Sequence, residues 1–132
     1  IYLKFANAVY NVRDRFRRAM DELKIKGKTI VGYGAPAKAT TLLNFAGVDY
    51  NHIKYIVEDN PLKHNLFVPG VRIPILERGA LEKDLPDTIL ILAWNFSEEI
   101  KKNNQKYIER GVDFLTPFSF IDSLEQANFL KR

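Results

Sequence analysis

Residues 89–93, Ile-Leu-Ile-Leu-Ala, run from Asp87-Thr88 into Trp94 without a polar side chain. A strand with one wet face alternates apolar and polar residues. An unbroken apolar run of this length reads instead as a parallel strand covered on both faces. Parallel strands need crossover connections, and the chain supplies helical patterns on either side of this strand. Phe5, Val9, Val12, Phe16, Met20 and Leu23 recur every three or four residues and predict a helix over 3–25, stopped by Gly27. A strand over 28–33, a helix over 36–45 stopped by Gly47, and a strand over 52–57 come next. Residues 71–76 read as a marginal or edge strand, because Pro74 has no N–H for a sheet ladder. Residues 77–85 suggest a short helix. Asn95, with Glu98 three residues on, fits a capping box opening a helix to Arg110, with Gly111 as its stop. A strand over 112–118 and a helix over 121–130 complete the pattern.

Such a rhythm specifies right-handed βαβ crossovers. The fold class expected is α/β: a Rossmann-like three-layer sandwich with a mostly parallel sheet of about five strands, preceded by a long N-terminal helix. At 132 residues, 46% of them hydrophobic, the chain suits one domain. Its expected parts are an N-terminal helix (1–27), a core (28–118) and a C-terminal helix (119–132). Ile1 in place of Met suggests a piece of a longer protein.

Several functional classes recede on composition. No apolar run approaches the ~18–20 residues of a membrane helix. The charged N-terminus lacks the apolar stretch of a signal peptide. Zero cysteines exclude disulfides and thiolate metal sites, and fit a cytoplasmic location. The net charge of +4 is partly concentrated in Arg13-Asp14-Arg15-Phe16-Arg17-Arg18. That run reads as a solvated helix face laced by Asp14–Arg18 and Arg17–Asp21 pairs, and no nucleic-acid signature accompanies it. His52 and His64 are isolated, so no metal site is expected.

In an open parallel sheet, ligands bind beyond the carboxyl ends of the strands. The segments predicted to meet there are Tyr33-Gly34-Ala35-Pro36, Glu58-Asp59-Asn60, Trp94-Asn95 and Thr116-Pro117. Gly32, Gly34 and Ala37 fit G-x-G-x-x-A after a strand and at the start of a helix. In that pattern the first small residue permits the turn, the second admits a phosphate, and the third lets helix and strand approach. The helix start offers free N–H groups to an anion, and Lys38 adds a full charge. Asp59, about 25 residues on, stands where a dinucleotide fold holds a ribose, although Glu-Asp-Asn-Pro is also good turn chemistry. Trp94 offers either a stacking face or core packing. No P-loop, nucleophile elbow or acid–base pair is evident. A methyl-donor loop of the G-x-G-x-G type would want an acid where Ile30 stands and tolerates no Pro36.

Three stretches in order, Val31–Gly47, Tyr55–Ile75 and Pro86–Ile100, resemble the C-terminal domain of S-adenosylmethionine-dependent sugar C-methyltransferases. The resemblance spans roughly residues 10–120. It implies a parent with a cysteine-rich zinc module, a central methyltransferase domain that binds S-adenosylmethionine and holds the catalytic residues, and a Rossmann-like third part, to which this chain corresponds. It implies no catalytic residue and no bound cofactor in this chain, and two partners: a nucleotide-sugar and the methyltransferase domain of the same polypeptide. By the same resemblance the substrate-binding residues are Gly32, Tyr33, Gly34, Ala35, Pro36, Ala37 and Lys38 as a diphosphate loop, with Asp59, Asn60, Lys63, Trp94 and Asn95 on the companion motifs. Relatives in that family often carry His after Ala-Trp-Asn. Phe96 stands there in this chain, implying a different specificity if the position touches sugar or phosphate. Two other readings of the residues stay open: an NAD(P)-binding oxidoreductase domain, and a non-catalytic interaction domain whose glycine turn is structural.

Overall fold

A computed structural model describes the backbone of residues 2–131 and their side chains, apart from those of residues 2, 5 and 128–131. Five strands, β1 (Ile30–Tyr33), β2 (Ile56–Val57), β3 (Ile75–Leu76), β4 (Thr88–Ile91) and β5 (Asp113–Leu115), form one sheet in the order β3-β2-β1-β4-β5. Every pairing is parallel. The helices are α1 (Tyr2–Ile25), α2 (Ala37–Ala46), α3 (Ser97–Asn103), α4 (Gln105–Glu109) and α5 (Pro117–Lys131). The expected Rossmann-like α/β class is therefore the observed one.

The strand residues divide by parity, because successive side chains leave opposite faces of a sheet. Ile30, Ile56, Ile75, Leu90 and Leu92 pack with Phe16 and Met20 of α1, Leu43 of α2, and Phe120 and Ile121 of α5. Val31, Tyr33, Val57, Ile89 and Ile91 pack on the other side with Leu81, Ile100 and Tyr107. β4 lies between β1 and β5 and is fully buried, as its apolar run predicts. The Phe16 and Phe120 rings meet edge-on, with centroids 6.5 Å apart, and lock α1 to α5. Arg15 fastens the same two helices from outside, donating two hydrogen bonds to Glu125 at 3.0 and 2.6 Å.

Gly27, Gly47 and Gly111 end their helices in the left-handed conformation, as the sequence suggests. At each, the following N–H returns to a carbonyl one turn back: Lys28 to Leu23, Val48 to Leu43, Val112 to Tyr107.

Other boundaries differ from expectation for local reasons. Val9 is 39% exposed, so the buried stripe of α1 starts at Val12, and Phe5 lies outside the described side chains. The Arg17–Asp21 pair forms, at 3.1 Å. Asp14 pairs with Arg13 instead of Arg18, which reaches only the Asp14 carbonyl. β1 starts at Ile30, not Lys28. β2 shrinks from 52–57 to two residues because Asp49 opens a turn, its carboxylate accepting from the Asn51 N–H at 2.9 Å. Pro74 precedes β3, which takes the sheet edge, and its carbonyl accepts from Ile56. The short helix expected over 77–85 is a 3₁₀ turn, Arg78–Glu82.

The largest correction concerns 95–110. Asn95 lies inside a 3₁₀ turn, Trp94–Phe96, and caps nothing, and no side chain caps α3. The helix breaks at Asn104, which is fully buried and turns its amide back to the Ile100 carbonyl at 2.7 Å. This is the local competition between an Asn side chain and the helix backbone. Finally, α5 starts at Pro117, four residues before the helix expected over 121–130 and two before the expected C-terminal part at 119. Thr116 and Ser119 exchange side-chain and backbone hydrogen bonds and cap it reciprocally.

Candidate functional site

The chain runs outward from β1 through β2 to β3, then returns to lay β4 on the other side of β1. The strand order thus reverses between β1 and β4, and a crevice opens beyond their carboxyl ends. It holds about 340 Å³, within the range of small-ligand sites. Its β1 wall is Tyr33, Gly34, Ala35 and Pro36. Glu58, Asp59 and Lys63 follow β2, while Ala93, Phe96 and Glu99 follow β4.

Gly34 makes the close approach at this point possible. Its φ is +90°, and a Cβ there would sit 2.6 Å from the Ala93 Cβ. Gly32 serves packing rather than the turn: it lies in β1, and its Cβ would meet Ile56 and Leu92 at 2.9 Å. Ala37 is exposed, so it is not the close helix–strand contact that the glycine pattern predicts. Ala39, which is buried, fills that role.

The crevice lining carries three carboxylates, Glu58, Asp59 and Glu99, against one ammonium, Lys63. Lys63 donates to the Ala35 carbonyl at 3.0 Å and lies 3.6 Å from Glu58, pinning the glycine turn to the segment after β2. The buried Tyr33 hydroxyl donates to the Asp59 carboxylate, 3.1 Å from each oxygen. Burial pushes the Tyr33 hydroxyl above its ordinary pKa. The charge and hydrogen bond of Asp59 add to this, and Asn104 opposes it. Tyr33 thus stays a neutral donor, fixing Asp59 with lone pairs free toward the crevice. His64 donates from Nε2 to the Glu58 carbonyl at 2.6 Å and braces the same segment.

The remaining predicted residues stand elsewhere. Asn60 accepts from the Leu62 N–H at 3.1 Å and caps the 3₁₀ turn Pro61–Lys63. Lys38 and Trp94 do not line the crevice. They meet beside it, with the Lys38 ammonium 4.6 Å from the Trp94 ring centroid. Asn95 is exposed on its turn. Among the described residues, the N–H groups of Ala37 and Lys38 have no acceptor, whereas those of Ala39 and Thr40 bond to the Pro36 carbonyl.

Two comparisons bear on this arrangement. The sequence profile of the C-methyltransferase C-terminal domain matches residues 1–119. The C-methyltransferase NovU of Streptomyces niveus is 35% identical over 116 residues, which cover 88% of this chain and 28% of that protein. The chain belongs to the C-methyltransferase C-terminal domain family. It spans less than a third of the length of the relative it matches.

Among the described residues of this family member, no helix is long and apolar enough to cross a membrane. Tyr33 to Pro36, Glu58 and Asp59 come together at one edge, as the strand-end rule predicts, and Lys63 joins them, while Thr116 and Pro117 lie outside the crevice lining. The sequence singles out Phe96 only for its residue type and Glu99 not at all, yet both stand in the crevice wall. The signal available was their place just after a buried strand. A continuous helix opening at Asn95 points to other directions for these side chains than a 3₁₀ turn leading into α3 does.

Proposed function

We propose that this domain binds the nucleoside diphosphate part of a sugar nucleotide for a C-methyltransferase. The observation that carries the reading is a division of charge at one sheet edge. At the start of α2, among the described residues, the Ala37 and Lys38 N–H groups lack acceptors, and the Lys38 side chain leaves from the same first turn with its ammonium over the Trp94 ring. Next to it lies a crevice rich in carboxylates. Diphosphate suits the first and not the second, because a helix start carries partial positive charge and carboxylates repel an anion. Hydroxyl groups of a ribose or sugar suit the second, donating to an Asp59 already held by Tyr33.

In this reading the whole protein is a cytoplasmic, S-adenosylmethionine-dependent transferase. It takes a proton from the carbon beside a sugar carbonyl and methylates the resulting carbanion. The methyl donor and the proton-transfer groups belong to a central domain of the same polypeptide. The present domain anchors the substrate and leaves its reacting ring free to project toward that chemistry. By itself it methylates nothing.

The test is a calorimetric panel of dTDP, UDP, GDP, NAD, NADP and S-adenosylmethionine against the 132-residue chain. Nucleoside diphosphates are expected to bind and S-adenosylmethionine to give no heat. A clear preference for NAD or NADP would replace this reading with a redox-cofactor domain, for which Asp59 at the end of β2 also has the right position.

A further inference from the structure

We infer that Trp94 is a positioning residue for Lys38, confining its ammonium in advance of ligand binding near the start of α2; this rests on the anion-site reading given above. Trp94 follows β4 in a tight turn closed by the Phe96 N–H bonding to the Ala93 carbonyl at 2.9 Å. Its ring is half-buried and meets Phe118 edge-on, with centroids 6.4 Å apart and planes at 78°. Both contacts fix the ring before any ligand arrives.

The Lys38 ammonium lies 4.6 Å from the centroid of that ring, at cation–π distance. Among the described residues no carboxylate lies within ion-pair distance of Lys38, and no acceptor takes its protons. The choice of partner has a chemical consequence. A carboxylate would hold the ammonium but cancel its charge and occupy its N–H groups. An aromatic face attracts the cation through its quadrupole and leaves the N–H donors on the far side free. Lys38 is thereby confined without being neutralised, and its side-chain freedom is restricted in advance of binding. Since Trp94 does not line the crevice, this role replaces stacking against a ligand there.

Two measurements on the 132-residue chain test the inference. In the ligand-free protein, NMR should place the Lys38 side-chain methylene protons upfield through the Trp94 ring current. That shift should persist in reduced form in Trp94→Phe and vanish in Trp94→Leu. Ordinary lysine shifts in the unmodified chain would overturn the contact itself. In titrations with dTDP and UDP, Trp94→Leu should weaken binding by about two- to fivefold, and Trp94→Phe by less. Trp94→Leu should add no loss once Lys38→Met is present. If the unmodified chain binds and Trp94→Leu binds equally well, or loses as much without Lys38, Trp94 has no positioning role and the anion site stands. If the unmodified chain binds neither nucleotide while the ring-current shift is present, the anion-site reading falls and takes the positioning role with it.

Discussion

Gly34→Ala should be among the most damaging single-methyl changes in this domain, and the cost can be assembled from geometry. Gly34 has a φ of +90°, where a residue with a Cβ is strained by about 1–2 kcal/mol. The added methyl would meet the Ala93 Cβ at 2.6 Å and the Ala93 backbone nitrogen at 3.2 Å. Neither neighbour is a flexible side-chain end. Ala93 is fixed by its own N–H bonding to the Tyr33 carbonyl at 3.2 Å. Overpacking against such neighbours costs about 1–3 kcal/mol. The sum is about 2–5 kcal/mol, a large share of a typical domain stability of about 5–15 kcal/mol. Gly27→Ala is the matched control, because its φ is +72° but nothing lies within 4 Å of its added Cβ. It should lose only the strain component, about 1–2 kcal/mol. Urea unfolding of the three proteins at a common slope separates the two contributions, and thermal melts should show Gly34→Ala lower by about 10 °C or more. A Gly34→Ala protein as stable as Gly27→Ala would refute the argument that β1 and β4 must meet this closely at the switch point.

Gly32→Ala should lose about 1–3 kcal/mol in the same urea series, because its methyl would overlap Ile56 and Leu92 at 2.9 Å without a backbone penalty. Asp59→Asn should weaken nucleoside diphosphate binding by about tenfold in calorimetry, and Tyr33→Phe by less, since it removes only the hydroxyl that orients Asp59; an unchanged affinity in both would remove Asp59 from the site. Acid unfolding should be sensitive to Asp21. Burial alone would raise its pKa, but hydrogen bonds from His52 and Arg17, with their charges, outweigh this and hold its carboxyl below the usual range. A carboxyl depressed on folding contributes stability above its unfolded pKa of about 4, lost as pH falls through the folded value. Asp21→Asn should therefore flatten the acid limb of a stability-versus-pH curve measured by urea melts, and an unchanged limb would count against the Asp21–His52 tie, which is 2.6 Å long.

How much was legible depended on how local the cause is. The apolar run of β4, the stripe of α1 from Val12 inward and the three glycine helix stops rest on neighbours a few residues away, and each stands where expected. The break at Asn104 was not legible. An Asn in a helical pattern is an ordinary surface residue until tertiary packing buries it, and only then must its amide turn to the Ile100 carbonyl. The capping box at Asn95 failed for a related reason, since β4 leads into a 3₁₀ turn, Trp94–Phe96, whose Trp94 packs against the distant Phe118 and Lys38.

The site shows the same division. Sequence alone determined the class of the fold and the edge at which its strands end, because periodicity and turn chemistry are local and a parallel sheet then admits few topologies. It also carried the three ordered stretches by which the family is recognisable. Tertiary structure alone decided how the candidate residues are shared out. Tyr33 and Asp59, 26 positions apart, become one hydrogen-bonded unit in a crevice of carboxylates. Lys38 and Trp94, separated along the chain by β2, β3 and β4, become a cation held on a ring outside it. Burial, charge balance and ring orientation are sums over neighbours from distant parts of the chain, and those neighbours exist only once the sheet has set β4 beside β1.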